Sequence, residues 1–164
     1  MYCKYAPIIP YIGMGNVLLG DSIDRVIDIL KNQKLSIYIE TTPYGEERCT
    51  IDNEMLIVAN SVNRKICMMC ALEEYQGILL KKIHIGMTIP EIMEVDKSLI
   101  KVEPDDDYVS FENGYFIEHE LFDFSNEFTT PVTEITIMLK CFFPTYKNDK
   151  EEFENSEIYR SGRW

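Results

Sequence analysis

No stretch of this 164-residue sequence approaches the roughly 20 consecutive apolar residues that a membrane-crossing helix needs. The first ten residues lack a basic cluster, and Pro7 and Pro10 interrupt their apolar run, so they do not read as a secretory leader. Cysteine is scarce and odd in number. Cys3, Cys49, Cys67, Cys70 and Cys141 follow no disulfide-framework spacing, and a reducing cytoplasm is the expected setting. Basic residues are also few: 16 Lys and Arg stand against 28 Asp and Glu. The resulting net charge of −12 opposes direct binding to nucleic acid or to an anionic membrane.

Catalytic signatures are missing too. There is no G-x-S-x-G, no H-E-x-x-H, no phosphate loop and no dinucleotide fingerprint, and the only histidines are His84 and His119. His119 stands between Glu118 and Glu120, an arrangement an acid–base enzyme could use. Without a further motif it reads as a solvated strand face. Cys67-Met-Met-Cys70 has no second cysteine pair with which to hold zinc. It falls inside the apolar run Ile66–Leu72, expected to be a central strand with its thiols serving as small hydrophobes. Asp105–Asp107 lacks the spacing of a calcium loop. The expectation is therefore no enzyme, no cofactor and no metal.

What the sequence does contain is a core and a repeat. Hydrophobic residues make up 46 %, ample for a folded protein of this length. Val17–Ile29 aligns without gaps on Ile83–Val95, with Gly20 meeting Gly86, Ser22 meeting Thr88 and Ile23 meeting Ile89. In each copy a glycine permits a tight turn, a hydroxyl residue caps a helix, and Glu91 completes a capping box in the second. Strands are expected to follow each helix. They fall at Leu35–Ile39, Cys49–Ile51, Met55–Ala59 and Ile66–Leu72, then at Ile100–Glu103, Tyr108–Glu112, Tyr115–Leu121 and Glu134–Phe143. The expected fold class is α+β, as two tandem units, each a short helix packed on an antiparallel β-sheet. The units span residues 1–80 and 81–147, and residues 148–164 form a polar tail.

Charge divides the two halves. Residues 1–82 carry 9 Lys and Arg against 10 Asp and Glu, a net of −1; residues 83–164 carry 7 against 18, a net of −11. If Asn113-Gly114 is a two-residue turn, Tyr108 faces His119, Ser110 faces Ile117 and Glu112 faces Tyr115 on one side of a hairpin. Phe111 and Phe116 then mark the opposite side as the core. The Tyr-bearing side has the composition of a recognition surface. Beside it lies the turn Glu103-Pro-Asp-Asp-Asp107. The expected partner-binding residues are thus Glu103, Asp105, Asp106, Asp107, Tyr108, Glu112, Tyr115, Glu118, His119 and Glu120. A solubilising loop accounts equally well for the acidic turn.

The duplicated helix-and-sheet unit resembles the beta-lactamase inhibitory protein family, whose tandem sheets grip an enzyme. The openings Gly20-Asp-Ser-Ile and Gly86-Met-Thr-Ile also resemble the small lipoprotein domains of outer-membrane assembly factors. The chain lacks the signal peptide and paired cysteines of both families. In size, acidity and aromatic content it is similar to immunity proteins of contact-dependent growth inhibition and other polymorphic-toxin systems. That resemblance implies a cytoplasmic monomer that blocks a basic toxin domain, such as a nuclease, in a one-to-one complex. The alternative is a small-ligand regulatory module with a cleft between the repeats.

Overall fold

Both helices begin after a hydroxyl residue, Ser22 or Thr88, and carry apolar residues at helical spacing, although the Ser22 side chain, against expectation, makes no capping hydrogen bond. In α1 (Ile23–Asn32), Ile23, Val26, Ile27 and Leu30 are buried, Asp24 lies in the first turn and Lys31 in the last. In α2 (Ile89–Val95), Pro90 occupies the first turn, where no N–H is needed. The Glu91 carboxylate accepts from the Thr88 N–H at 2.8 Å and the Thr88 hydroxyl at 2.9 Å. A computed structural model of the chain describes residues 1–102, 107–117 and 128–142. Among the described residues no helix is long and apolar enough to cross a membrane.

A short hairpin, β1 (Gly13–Met14) with β2 (Val17–Leu18), precedes α1. After α1 come β3 (Ile37–Thr41), β4 (Glu46–Ile51), β5 (Met55–Asn60) and β6 (Ile66–Ala71). After α2 come β7 (Leu99–Val102), β8 (Asp107–Ser110), β9 (Tyr115–Ile117) and β10 (Ile135–Met138). These last eight form one sheet in the order β3-β4-β5-β6-β10-β9-β8-β7. Every neighbouring pair in it is antiparallel.

The two runs meet at the centre, where Cys70 of β6 lies opposite Thr136 of β10. Those two residues are 66 apart, the same separation that relates Gly20 to Gly86 and Ile23 to Ile89. The helix entrances are built alike. The Gly20 N–H donates to the Ile66 carbonyl at 2.7 Å, and the Gly86 N–H to that of Val132 at 2.8 Å. The Ile66 N–H returns to Asp21 at 2.9 Å and the Val132 N–H to Met87 at 2.8 Å. Both glycines hold positive φ, +84° and +94°, with open space where a Cβ would stand. Backbone conformation, not crowding, requires glycine at these two turns.

Both sheet faces contribute to the core. One packs against the helices, joining Ile23, Leu30 and Ile92 to Ile51, Ile57, Tyr108, Tyr115 and Ile137. The other gathers Val58, Cys67, Val109, Phe116, Met138 and Phe142. Cys67 and Cys70 are buried in β6, mid-sheet.

Three expectations are corrected. The β8–β9 register is Tyr108↔Ile117, Val109↔Phe116 and Ser110↔Tyr115, so Phe111–Gly114 form a four-residue loop rather than Asn113-Gly114 a two-residue one. The Gly114 N–H closes that loop on the Ser110 carbonyl at 2.8 Å, with Gly114 at φ +71°. Second, the Tyr-bearing face is the helix-facing core side, because a shift of two residues preserves which side chains share a face while both faces are covered. Third, Asp107 is not a turn residue but opens β8, where it is buried.

Candidate partner-binding surface

The loop that joins α2 to β7 explains why the expected tyrosines are inside. Asp96 ends α2 and is only 5 % exposed. Its carboxylate accepts from the Ser98 N–H at 2.9 Å, the Ser98 hydroxyl at 2.7 Å, the Asn113 amide at 3.0 Å and the Tyr115 hydroxyl at 2.9 Å. Burial alone would raise the Asp96 pKa, but the hydrogen bonds from Ser98, Ser110 and Asn113 outweigh it and hold the value down to about 2. Burial, and then the bond to Asp96, push the Tyr115 hydroxyl well above its usual range. Tyr115 is fully buried and Tyr108 is 3 % exposed, with Lys101 Nζ 6.0 Å from the Tyr108 ring centroid. These two tyrosines hold the hairpin onto the helix layer. Asp96 escapes a reading of the sequence because Ser98 alone is a local partner, while Asn113 and Tyr115 lie 17 and 19 positions away along the chain, beyond any local motif.

The remaining expected residues divide by location. Glu112 is exposed on the β8–β9 loop, at the far end of the hairpin from Asp107. Glu103, Asp105, Asp106, Glu118, His119 and Glu120 lie outside the described residues. The strand ends that flank them are informative. Val102 pairs with Asp107, and Tyr108 pairs with Ile117. Val102, Asp107 and Ile117, the strand ends that flank residues 103–106 and 118–127 in sequence, are therefore neighbours on the β7–β8–β9 side of the sheet. Glu103, Asp105, Asp106, Glu118, Glu120, Asp123 and Glu127 belong to these two segments, which contain no Lys or Arg. His84 is exposed, its Nδ1 within 2.8 Å of the Ile85 carbonyl.

Among the described residues, exposed tyrosine is found instead on the first half. Tyr38 of β3 is 64 % exposed and Tyr44, in the β3–β4 turn, 54 %. Charged side chains around this edge are internally paired. Arg48 reaches Glu46 at 3.0 Å, and Arg64 bridges Glu47 at 2.8 Å to Asp24 of α1 at 2.5 Å. The Arg64 guanidinium bond holds the Asp24 carboxyl below its usual range.

Among the described residues, no group of three or more His, Cys, Asp and Glu is placed to hold a metal ion. A cavity of about 80 Å³ lies between the amino-terminal segment and α1, lined by Met1, Tyr2, Arg25, Val26 and Leu30 among others. It is well below the roughly 300–1,000 Å³ of small-molecule pockets, and it lies within the first half rather than between the halves.

No family model matches the chain, and no curated protein matches it in sequence. Among solved structures, an extracellular protein containing an SCP domain from Bacillus anthracis str. Ames is similar over 85 % of this chain and 52 % of its own. The identity is 11 % and the TM-score 0.42. The chain thus spans about half of that protein, and a likeness so slight carries no argument about fold or function.

Proposed function

We propose that this is an immunity-type inhibitor that binds a basic protein domain, with a nuclease toxin as the partner class. The observation that carries this reading is that Val102, Asp107 and Ile117, the strand ends next in sequence to two acidic stretches without Lys or Arg, are neighbours in the sheet. Carboxylates gathered without counterions repel one another in the free protein and gain when a cationic surface meets them. A nuclease domain must present such a surface to hold phosphates.

The architecture proposed with this function is a tandem duplication of one helix-plus-four-strand unit. The matched glycine turns and their matched backbone bonds support it, as does the central Cys70–Thr136 pair, which relates equivalent residues across the middle of the sheet. In this arrangement the near-neutral unit is scaffold and the acidic unit meets the partner inside the cytoplasm.

The test is co-expression with the toxin-type gene neighbouring its own, followed by association kinetics on the purified pair. Reversal of Glu103, Asp105 and Asp106 to Lys should slow association about 10- to 1,000-fold and flatten its salt dependence. Asp107 is left intact because it is buried in β8. An association rate unchanged by the triple reversal would refute the site. Growth that the wild-type protein fails to restore would refute the function.

A further inference from the structure

We infer that the β3 edge of the sheet is a self-pairing surface, through which two copies of this chain associate about a two-fold axis. β3 is the terminal strand, and among the described residues no strand lies on its outer side. Four of its five residues are exposed, including Tyr38 and Ile39, and it carries none of the Lys, Pro or bulge features that guard sheet edges.

The hydrogen-bond phase of the edge is fixed. The Thr42 N–H donates to the Glu46 carbonyl at 2.8 Å, and bonded positions alternate along an antiparallel ladder. Tyr38 and Glu40 therefore direct their backbone groups to β4, and Ile37, Ile39 and Thr41 direct theirs outward. An antiparallel pair of β3 strands centred on Ile39 sets Ile39 against Ile39 of the second copy and Ile37 against its Thr41. Every outward N–H and C=O of the strand then finds a partner. In the same register Tyr38 lies opposite Glu40 of the second copy. No like charges oppose each other, whereas centring on Glu40 would set carboxylate against carboxylate.

Electrostatics favours this edge over the other. The strand ends next in sequence to the acidic segments belong to β7, β8 and β9, five to seven strand spacings away, or roughly 24–34 Å at about 4.8 Å each. Screening at physiological ionic strength acts over about 8 Å, so charge at those strand ends opposes this contact little. An interface of one strand pair is small, and the dimer it makes is weak and concentration-dependent.

Sedimentation velocity on the full chain over a hundredfold concentration range tests this. The wild-type mass should rise toward that of a dimer. Tyr38→Glu, which sets a second carboxylate opposite that of Glu40, should weaken association at least about tenfold. Tyr38→Lys, which sets opposite charges there, should leave it equal or tighter. Tyr38 is largely exposed, and circular dichroism checks that both variants fold. A wild-type protein that stays monomeric throughout, because part of the chain or another protein covers β3, overturns the proposal. So does a dimer indifferent to both substitutions.

Discussion

The two helix–hairpin junctions make the same connection by different means. At the α2 junction one buried carboxylate, Asp96, ties the helix end directly to the β8–β9 loop and to Tyr115. At the α1 junction the amino-terminal segment stands between the two. The Tyr2 N–H donates to Gln33 Oε1 at 2.6 Å, and the Gln33 amide returns to the Tyr2 carbonyl at 3.1 Å. Glu54, in the β4–β5 turn, accepts from the Tyr2 hydroxyl at 3.0 Å and Lys4 Nζ at 2.8 Å. Tyr75 anchors the same segment, donating to the Ala6 carbonyl and accepting from the Gly15 N–H, both at 2.7 Å. One junction concentrates its bonding on a single desolvated group; the other spreads it over a strap that water partly reaches. The first is therefore the more fragile to a single substitution.

Asp96→Ala should break the comparison most sharply. It strands the Tyr115 hydroxyl, the Asn113 amide and Ser98, and should lower unfolding free energy by about 3 kcal/mol or more in chemical denaturation. Acid titration of the wild-type protein sharpens the contrast. The folded Asp96 pKa is depressed to about 2, so its stabilisation is present above the unfolded value near 4 and is lost as pH falls between them. In Asp96→Asn that acid-dependent component should vanish, read as a flatter stability profile from pH 5 to about 2. At the other junction, Tyr2→Phe keeps the ring and removes one bond, and should lower stability by about 1 kcal/mol. Smallest is Arg64→Gln. Its ion pairs with Asp24 and Glu47 are partly exposed, and the expected loss is about 0.5–1 kcal/mol, decreasing as salt is added.

Features encoded within a few neighbouring residues could be read from the sequence. The glycine–hydroxyl–isoleucine openings marked both helix starts at Ile23 and Ile89, and apolar runs and turn signals placed all eight strands of the large sheet, although β10 ends at Met138 rather than Phe143. Which side chains share a face of β8 and β9 also followed from alternation. Which face is inside did not. That depended on Asp96 arriving from α2, and on Phe142 and Tyr11 packing with Val109 and Phe116 on the opposite face. Asn113-Gly114 signals a turn but not its length. Here Tyr11 packs so closely that a Cβ on Gly114 would lie 2.1 Å from its ring, and the glycine is needed as the last residue of a longer loop. Of the candidate surface, the sequence displayed the carboxylates; the pairing of Val102 with Asp107 and Tyr108 with Ile117 is what makes the strand ends flanking their two segments neighbours.

The place of β10 between β6 and β9 has a consequence for synthesis on the ribosome. The sheet is completed from its middle, by the last made of its described strands. After Ala71 emerges, 67 more residues must follow before Met138 does, which at about 5–20 residues per second takes roughly 3–13 s. Throughout that interval β6 has no neighbour on its β10 side, and the β7–β9 strands have nothing to join them to the first half. The nascent chain thus carries an open, apolar β6 flank that the finished protein does not, and chaperone occupancy should be greatest in that window.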